Sequence, residues 1–121
     1  MKPKALVVED MKVHQTALKT QLLISGFDVS TANDGIEALS LLKVNQYKIV
    51  FSDIEMPNMN GLELLANIKR NIATKNIAVI MLSMVSSSDA INKALKMGAA
   101  AYLVKPFTSE KIKEIVKILG Y

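Results

Sequence analysis

The chain has 121 residues, enough for one domain with a real hydrophobic core. Half of them are hydrophobic, 21% are charged and none is cysteine, a globular composition that excludes a disulfide framework and thiolate metal sites. The formal net charge of +4 comes from 15 Lys+Arg, of which only Arg70 is arginine; the lysines lie among acids such as Glu110 and Glu114, which predicts a solvated lysine-rich surface and no nucleic-acid partner.

The opening "MKPKALVVED" carries a short apolar run, "KALVV" (4–8), that reads as a buried strand. It lacks the length of a signal-peptide core, and no stretch approaches a membrane span, so a soluble cytoplasmic protein is expected. From Val13, apolar residues fall at Val13, Ala17, Leu18 and Leu22, a helical spacing that Gly26 ends. "FDVSTA" (27–32) alternates like a strand, and "GIEALSLLKV" (35–44) returns to helical spacing with Asp34 as cap. "KIVFS" (48–52) is the third strand and "GLELLANIKR" (61–70) the third helix. "IAVIML" (77–82) is a continuous apolar strand; "SSSDAINKALKMG" (86–98) opens on cap residues and ends in Gly98, where a positive φ is expected. "AAYLV" (100–104) is the fifth strand, and "TSEKIKEIVKIL" (108–119) is a helix capped by Thr108 or Ser109. The pattern is (βα)5, which predicts a doubly wound parallel five-stranded sheet covered by helices on both faces. The whole span 1–121 reads as a single domain, with nothing left over for an output domain.

In an open α/β sheet, ligands bind outside the carboxyl ends of the strands. Those ends carry Glu9-Asp10, Asn33-Asp34, Asp53, Ser83 and Lys105-Pro106. Asp10 alone would equally suit a helix N-cap, and Glu9 or Lys105 alone would pass as surface charges. Together, three acids, a hydroxyl and a lysine from four strands converge on one rim. Two carboxylates about 4 Å apart repel by roughly 1 kcal/mol in water and roughly 4 at an effective dielectric near 20. Such a cluster calls for a cation, and an oxygen-only donor set favours Mg²⁺ over zinc.

The motifs "VVED" (7–10), "SDIEMPNMNG" (52–61), "IMLS" (80–83) and "YLVKPF" (102–107) resemble, in order and spacing, the receiver domain of two-component response regulators, over essentially the whole length. The resemblance implies a flavodoxin-like sheet of strand order 2-1-3-4-5. It implies Asp53 as phosphoacceptor; Asp10 and Asp53 as side-chain ligands of Mg²⁺; Glu9 acting on the metal through a water; and Glu55 supplying its backbone carbonyl. Ser83 and Lys105 would bind phosphoryl oxygens, and Pro106 would be cis. Tyr102 would be a switch aromatic on an output face built from the fourth helix, fifth strand and fifth helix. The implied partners are a histidine kinase as phosphodonor and a downstream target protein, with the receiver itself a monomer and no enzyme beyond its own phosphorylation and dephosphorylation. Glu55 and Val85 stand where the family tunes phosphate lifetime. Met84 stands where a smaller residue is usual and would crowd small phosphodonors unless it swings outward. His14, one turn after Asp10, reads as a helix-surface or partly packed histidine, and Met56, Met59 and Met97 as gap-fillers.

The absence of a following domain suggests a stand-alone chemotaxis-type regulator. The alternatives are a phosphorelay intermediate or the receiver of a hybrid sensor kinase, which "VEDMKVHQ" also resembles. From other classes come a degenerate receiver that binds without phosphorylation, and an aspartate-nucleophile phosphatase. The last shares "DIE" but lacks the residues expected after it.

Overall fold

The computed structural model describes residues 1–121. Five strands and five helices alternate: β1 (Lys4–Val8), α1 (Lys12–Ile24), β2 (Asp28–Ala32), α2 (Gly35–Val44), β3 (Ile49–Asp53), α3 (Gly61–Arg70), β4 (Ala78–Ser83), α4 (Ser88–Lys96), β5 (Ala101–Val104) and α5 (Ser109–Ile118). All strands pair in parallel, in the order β2-β1-β3-β4-β5. Element number and sheet order are those expected. Boundaries move by one or two residues for identifiable reasons: Ser87 caps α4, so the helix starts at Ser88 rather than 86, and Thr108 rather than Ser109 caps α5. Asp34 caps α2 as expected, accepting the Glu37 N–H at 2.9 Å.

Side chains alternate across the sheet and give each face its own core. Leu6 and Val8, Val50, and Val79 and Met81 pack with Leu42, Leu64, Leu65, Ile68 and Ala94 from α2, α3 and α4. Ala5 and Val7, Ile49 and Phe51, and Ile80 and Leu82 pack with Leu18, Leu22, Ile112 and Val116 from α1 and α5. Full burial of one such aliphatic side chain contributes roughly 1.5–3 kcal/mol, so the two layers hold the sheet rigid from both sides. Met56, Met59 and Met97 are partly buried against the first core, the gap-filling expected of them.

Glycine matters at two places, one at each end of the sheet. Gly98 ends the α4 segment at φ +106°, a conformation in which a side chain is strained. Gly61 opens α3 directly beneath the end of β3, and a Cβ there would collide with the carbonyl oxygen of Asp53. Its N–H donates to the Ile54 carbonyl at 2.8 Å. A capping box then fixes the helix start: Asn60 accepts the Glu63 N–H at 2.9 Å, and Glu63 accepts the Asn60 N–H at 3.2 Å. The "PNMNG" loop is therefore clamped against the residue that ends β3.

Candidate functional site

Parallel pairing brings the strand ends level. Val8 is paired with Ser52, Asp53 with Leu82, and Ser83 with Val104. The ladder runs one step past the strands, with Glu9 N–H on the Ala32 carbonyl at 3.0 Å and Lys105 N–H on the Ser83 carbonyl at 2.8 Å. Glu9, Asp53, Ser83 and Lys105 are thus held at one rim by backbone bonds, whatever their side chains do.

The carboxylates converge. One oxygen each from Glu9, Asp10 and Asp53 lies within 4.8 Å of the others. Glu9 and Asp53 are buried, at 0% and 5% exposure, while Asp10 faces solvent. The N-cap position of α1 is Met11, without a side-chain cap bond, so Asp10 is not engaged as a helix cap. A single cation sits among them: Lys105 Nζ is 2.7 Å from Glu9 Oε1 and 3.3 Å from Asp53 Oδ1. The Lys105–Pro106 peptide is cis, as expected.

One lysine does not neutralise this cluster. Burial raises the pKa of Asp53, the Glu9 charge raises it further, Lys105 offsets only part, and the result is a carboxyl pushed up to about 6. Burial acts in the same direction on Glu9, but the close Lys105 bond and charge outweigh it and hold that carboxyl below the usual range. Lys105 answers in kind: burial favours its neutral form, its bond to Glu9 and the charges of Asp53 and Glu9 outweigh that, and its pKa rises.

Several contacts here have no signature in the sequence. Gln15 is buried, and its Nε2 donates to the Glu9 carbonyl at 2.8 Å and to Asn33 Oδ1 at 3.2 Å, tying α1 to the ends of β1 and β2. His14 is partly exposed, as a helix-surface residue would be, yet its Nδ1 lies 3.3 Å from Glu9 Oε1 without a formed hydrogen bond. Ser83 is fully buried and gives its hydroxyl to the Glu55 side chain. Glu55, singled out for its backbone carbonyl, thus also acts through its carboxylate. Tyr102 is half-buried and donates its hydroxyl to the Val85 carbonyl at 2.7 Å. Met84 is 75% exposed and lines, with His14, Leu18, Pro106, Phe107 and Ile112, a groove of about 540 Å³ between α1 and α5. That exposure corresponds to the outward-swung alternative for its side chain.

Residues 5–117 match the family model described as "Response regulator receiver domain". The chain belongs to the response regulator receiver family. Among curated relatives, it is 38% identical over 119 residues to "Probable transcriptional regulator ycf29" of Pyropia yezoensis, covering 98% of this chain and 54% of that protein. It is 35% identical over 112 residues to "Chemotaxis protein CheY-3" of Vibrio cholerae serotype O1, covering 92% of this chain and 86% of that one. The chain thus spans about half the length of the first relative and most of the second. Among solved structures, Vibrio cholerae chemotaxis protein CheY4 superposes with a TM-score of 0.92 at 28% identity, over 98% of this receiver and 99% of that chain. The receiver domain of Francisella response regulator 1452 does so with a TM-score of 0.90 at 36% identity, over 98% and 96%. This receiver therefore has CheY-like relatives of two-component signalling on both counts, and no helix in it is long and apolar enough to cross a membrane.

Proposed function

We propose that this receiver takes a phosphoryl group from a histidine kinase onto Asp53 and thereby switches a protein-binding face. The observation that carries the reading is Asp53 itself: a buried carboxylate at the end of a central strand, destabilised by burial and by Glu9, with Lys105 Nζ 3.3 Å away. Such a group gains from any partner that neutralises it, and a carboxylate nucleophile needs little else from the protein than alignment and charge. In the transfer, an Asp53 oxygen bonds to phosphorus while the P–N bond of the donor phosphohistidine breaks and its electron pair stays on the imidazole. Lys105 Nζ neutralises one phosphoryl oxygen, and the Ser83 hydroxyl hydrogen-bonds another.

The residues fit Mg²⁺: the donors are oxygens only, they converge, and the local charge is left uncompensated by Lys105. Asp10 and Asp53 would hold it through their side chains, Glu55 through its backbone carbonyl, and Glu9 through a water. Bound there, the ion supplies positive charge to the phosphoryl oxygens. Asp10 is exposed at the rim and is the residue best placed to meet an ion arriving from solvent.

The output face is that of α4, β5 and α5, with Tyr102 as its moving part. Lys93, Lys96, Lys111 and Lys117 are exposed on the two helices, a basic rim that suits an acidic target segment. We place the receiver in the cytoplasm, acting as a monomer and as a stand-alone regulator of the chemotaxis type. A second reading, a receiver joined to a further domain, is favoured by the relative that is about twice as long and is named a transcriptional regulator.

Incubation with acetyl phosphate and Mg²⁺, followed by mapping of the adduct, tests the central claim. The expected result is one phosphoryl group on Asp53, absent from Asp53→Asn. Labelling of Asp10, or undiminished labelling of Asp53→Asn, would overturn it.

A further inference from the structure

Ser83 has one hydroxyl proton, and that proton is already committed. Ser83 Oγ lies 2.9 Å from Glu55 Oε1 and 3.1 Å from Glu55 Oε2, so the O–H donates into the carboxylate. The same oxygen accepts the Val85 N–H at 3.0 Å, and the Val85 carbonyl accepts the Tyr102 hydroxyl at 2.7 Å. A continuous chain of bonds therefore runs from Glu55 through Ser83 and the Val85 residue to Tyr102. Its members differ in freedom. Ser83 is fully buried on β4, whereas Glu55 is exposed on the loop after β3 and has solvent to turn into.

We propose that Glu55 is a positioning residue whose carboxylate holds the Ser83 hydroxyl in the unphosphorylated state, in direct competition with a phosphoryl oxygen on Asp53. The proposal rests on the receiver function proposed for Asp53 and adds a residue to it. Three features support it. A serine hydroxyl donates one hydrogen bond at a time, so Ser83 serves either Glu55 or the phosphoryl group. The competing acceptor is a carboxylate group, and a hydrogen bond to a carboxylate is a charge-assisted one, roughly twice as strong as a neutral one. A phosphoryl group on Asp53, two residues from Glu55, also repels that carboxylate, and an exposed side chain can leave. A rotation of the Ser83 side chain from Glu55 toward a phosphoryl group on Asp53 would carry Oγ away from the Val85 N–H as well. The Val85 segment is then free to shift, and with it the carbonyl that anchors Tyr102. Glu55 thus sets how much of the phosphorylation energy goes into releasing the switch.

Beryllofluoride with Mg²⁺, a non-hydrolysable stand-in for the phosphoryl group, measures this on the full chain. Binding is followed by NMR at the Val85 amide and the Tyr102 ring. Glu55→Ala should bind the mimic about tenfold more tightly than wild type, the net worth of one charge-assisted hydrogen bond. Glu55→Gln, which keeps an acceptor without the charge, should gain about threefold. Glu55→Ala should also shift the Val85 and Tyr102 resonances with no mimic present. Because the effect runs through Ser83, Glu55→Ala should give no gain in a Ser83→Ala background. An equal gain in that background would mean simple charge repulsion and would overturn the positioning role, as would unchanged affinity of Glu55→Ala. Failure of wild type itself to bind the mimic, with Asp53→Asn as the control, would instead overturn the receiver function on which the proposal stands.

Discussion

Replacing Asp53 by asparagine in the metal-free protein should make it more stable and should flatten its dependence on pH. The carboxyl pKa rises from 3.8 to about 6 on folding, through burial first and the Glu9 charge second. A pKa raised by folding means that the native state binds the proton more tightly than the unfolded chain does. The resulting stabilisation is complete below about pH 3.8 and is lost as the pH rises through about 6. The full loss is on the order of 3 kcal/mol at 1.36 kcal/mol per pH unit, of which a little under half falls between pH 5 and pH 7.5. Glu9, whose pKa is lowered, contributes in the opposite sense, but its stabilisation is lost only as the pH falls through a folded value below 4.5. Lys105, raised above 10.5, stays charged throughout the window. Urea unfolding of wild type and Asp53→Asn at pH 5 and pH 7.5, in chelator, isolates the Asp53 contribution by difference. Wild type should lose on the order of 1 kcal/mol more than the variant over that interval, and millimolar Mg²⁺ at pH 7.5 should restore stability to wild type alone. Parallel pH profiles for the two proteins would show that Asp53 ionises without cost, and the electrostatic case for a cation at this rim would fail.

Gly61→Ala should cost about 2 kcal/mol or more in urea unfolding, because the added Cβ collides with the Asp53 carbonyl and with backbone that a capping box holds in place; a loss under about 0.5 kcal/mol would mean that the loop can retreat. Lys105→Met should cost about 3 kcal/mol at pH 7, since it leaves the Glu9 carboxylate buried without its cation, and clearly less at pH 4; equal losses at the two pH values would rule out the charge as the cause. Met84→Ala should leave the rate of phosphorylation by acetyl phosphate within about twofold of wild type, because the side chain already points outward; a tenfold rise would restore the crowding explanation. Tyr102→Ala should keep phosphorylation of Asp53 and change the affinity of the phosphorylated protein for its target, read by calorimetry; unchanged affinity would move the output face elsewhere.

The alternation of short, mostly continuous apolar runs with segments of helical spacing made the ten elements legible, because a buried parallel strand and an amphipathic helix leave different marks on a sequence. The sheet order was legible only through the family resemblance. Periodicity says which residues of β1 are buried, not that β2 and β3 flank it. The rim was legible for a topological reason: when all strands run the same way, every strand-terminal residue goes to the same end. Glu9, Asp10, Asp53, Ser83 and Lys105 could therefore be grouped without knowing any distance.

What the sequence does not carry is how that charge is shared out. Lys105 stands nearer to Glu9, at 2.7 Å, than to Asp53, at 3.3 Å. Both acids are buried and both end strands that flank or form the centre of the sheet, so composition and spacing treat them alike. The asymmetry exists only in the distances of the folded rim. It has a consequence for chemistry. The lysine keeps Glu9 ionised at little cost and leaves Asp53 as the acid whose charge is least compensated. Of the two buried carboxylates, Asp53 is thus the one that gains more from a cation or from esterification by a phosphoryl group. The same holds for Glu55. The family resemblance marked it for its backbone carbonyl, while its side chain reaches across to Ser83 on β4, a pairing 28 residues apart that only the folded rim creates. Residue types at strand ends tell which groups meet. Which of them is left wanting a partner is decided by the hydrogen bonds they make once they have met.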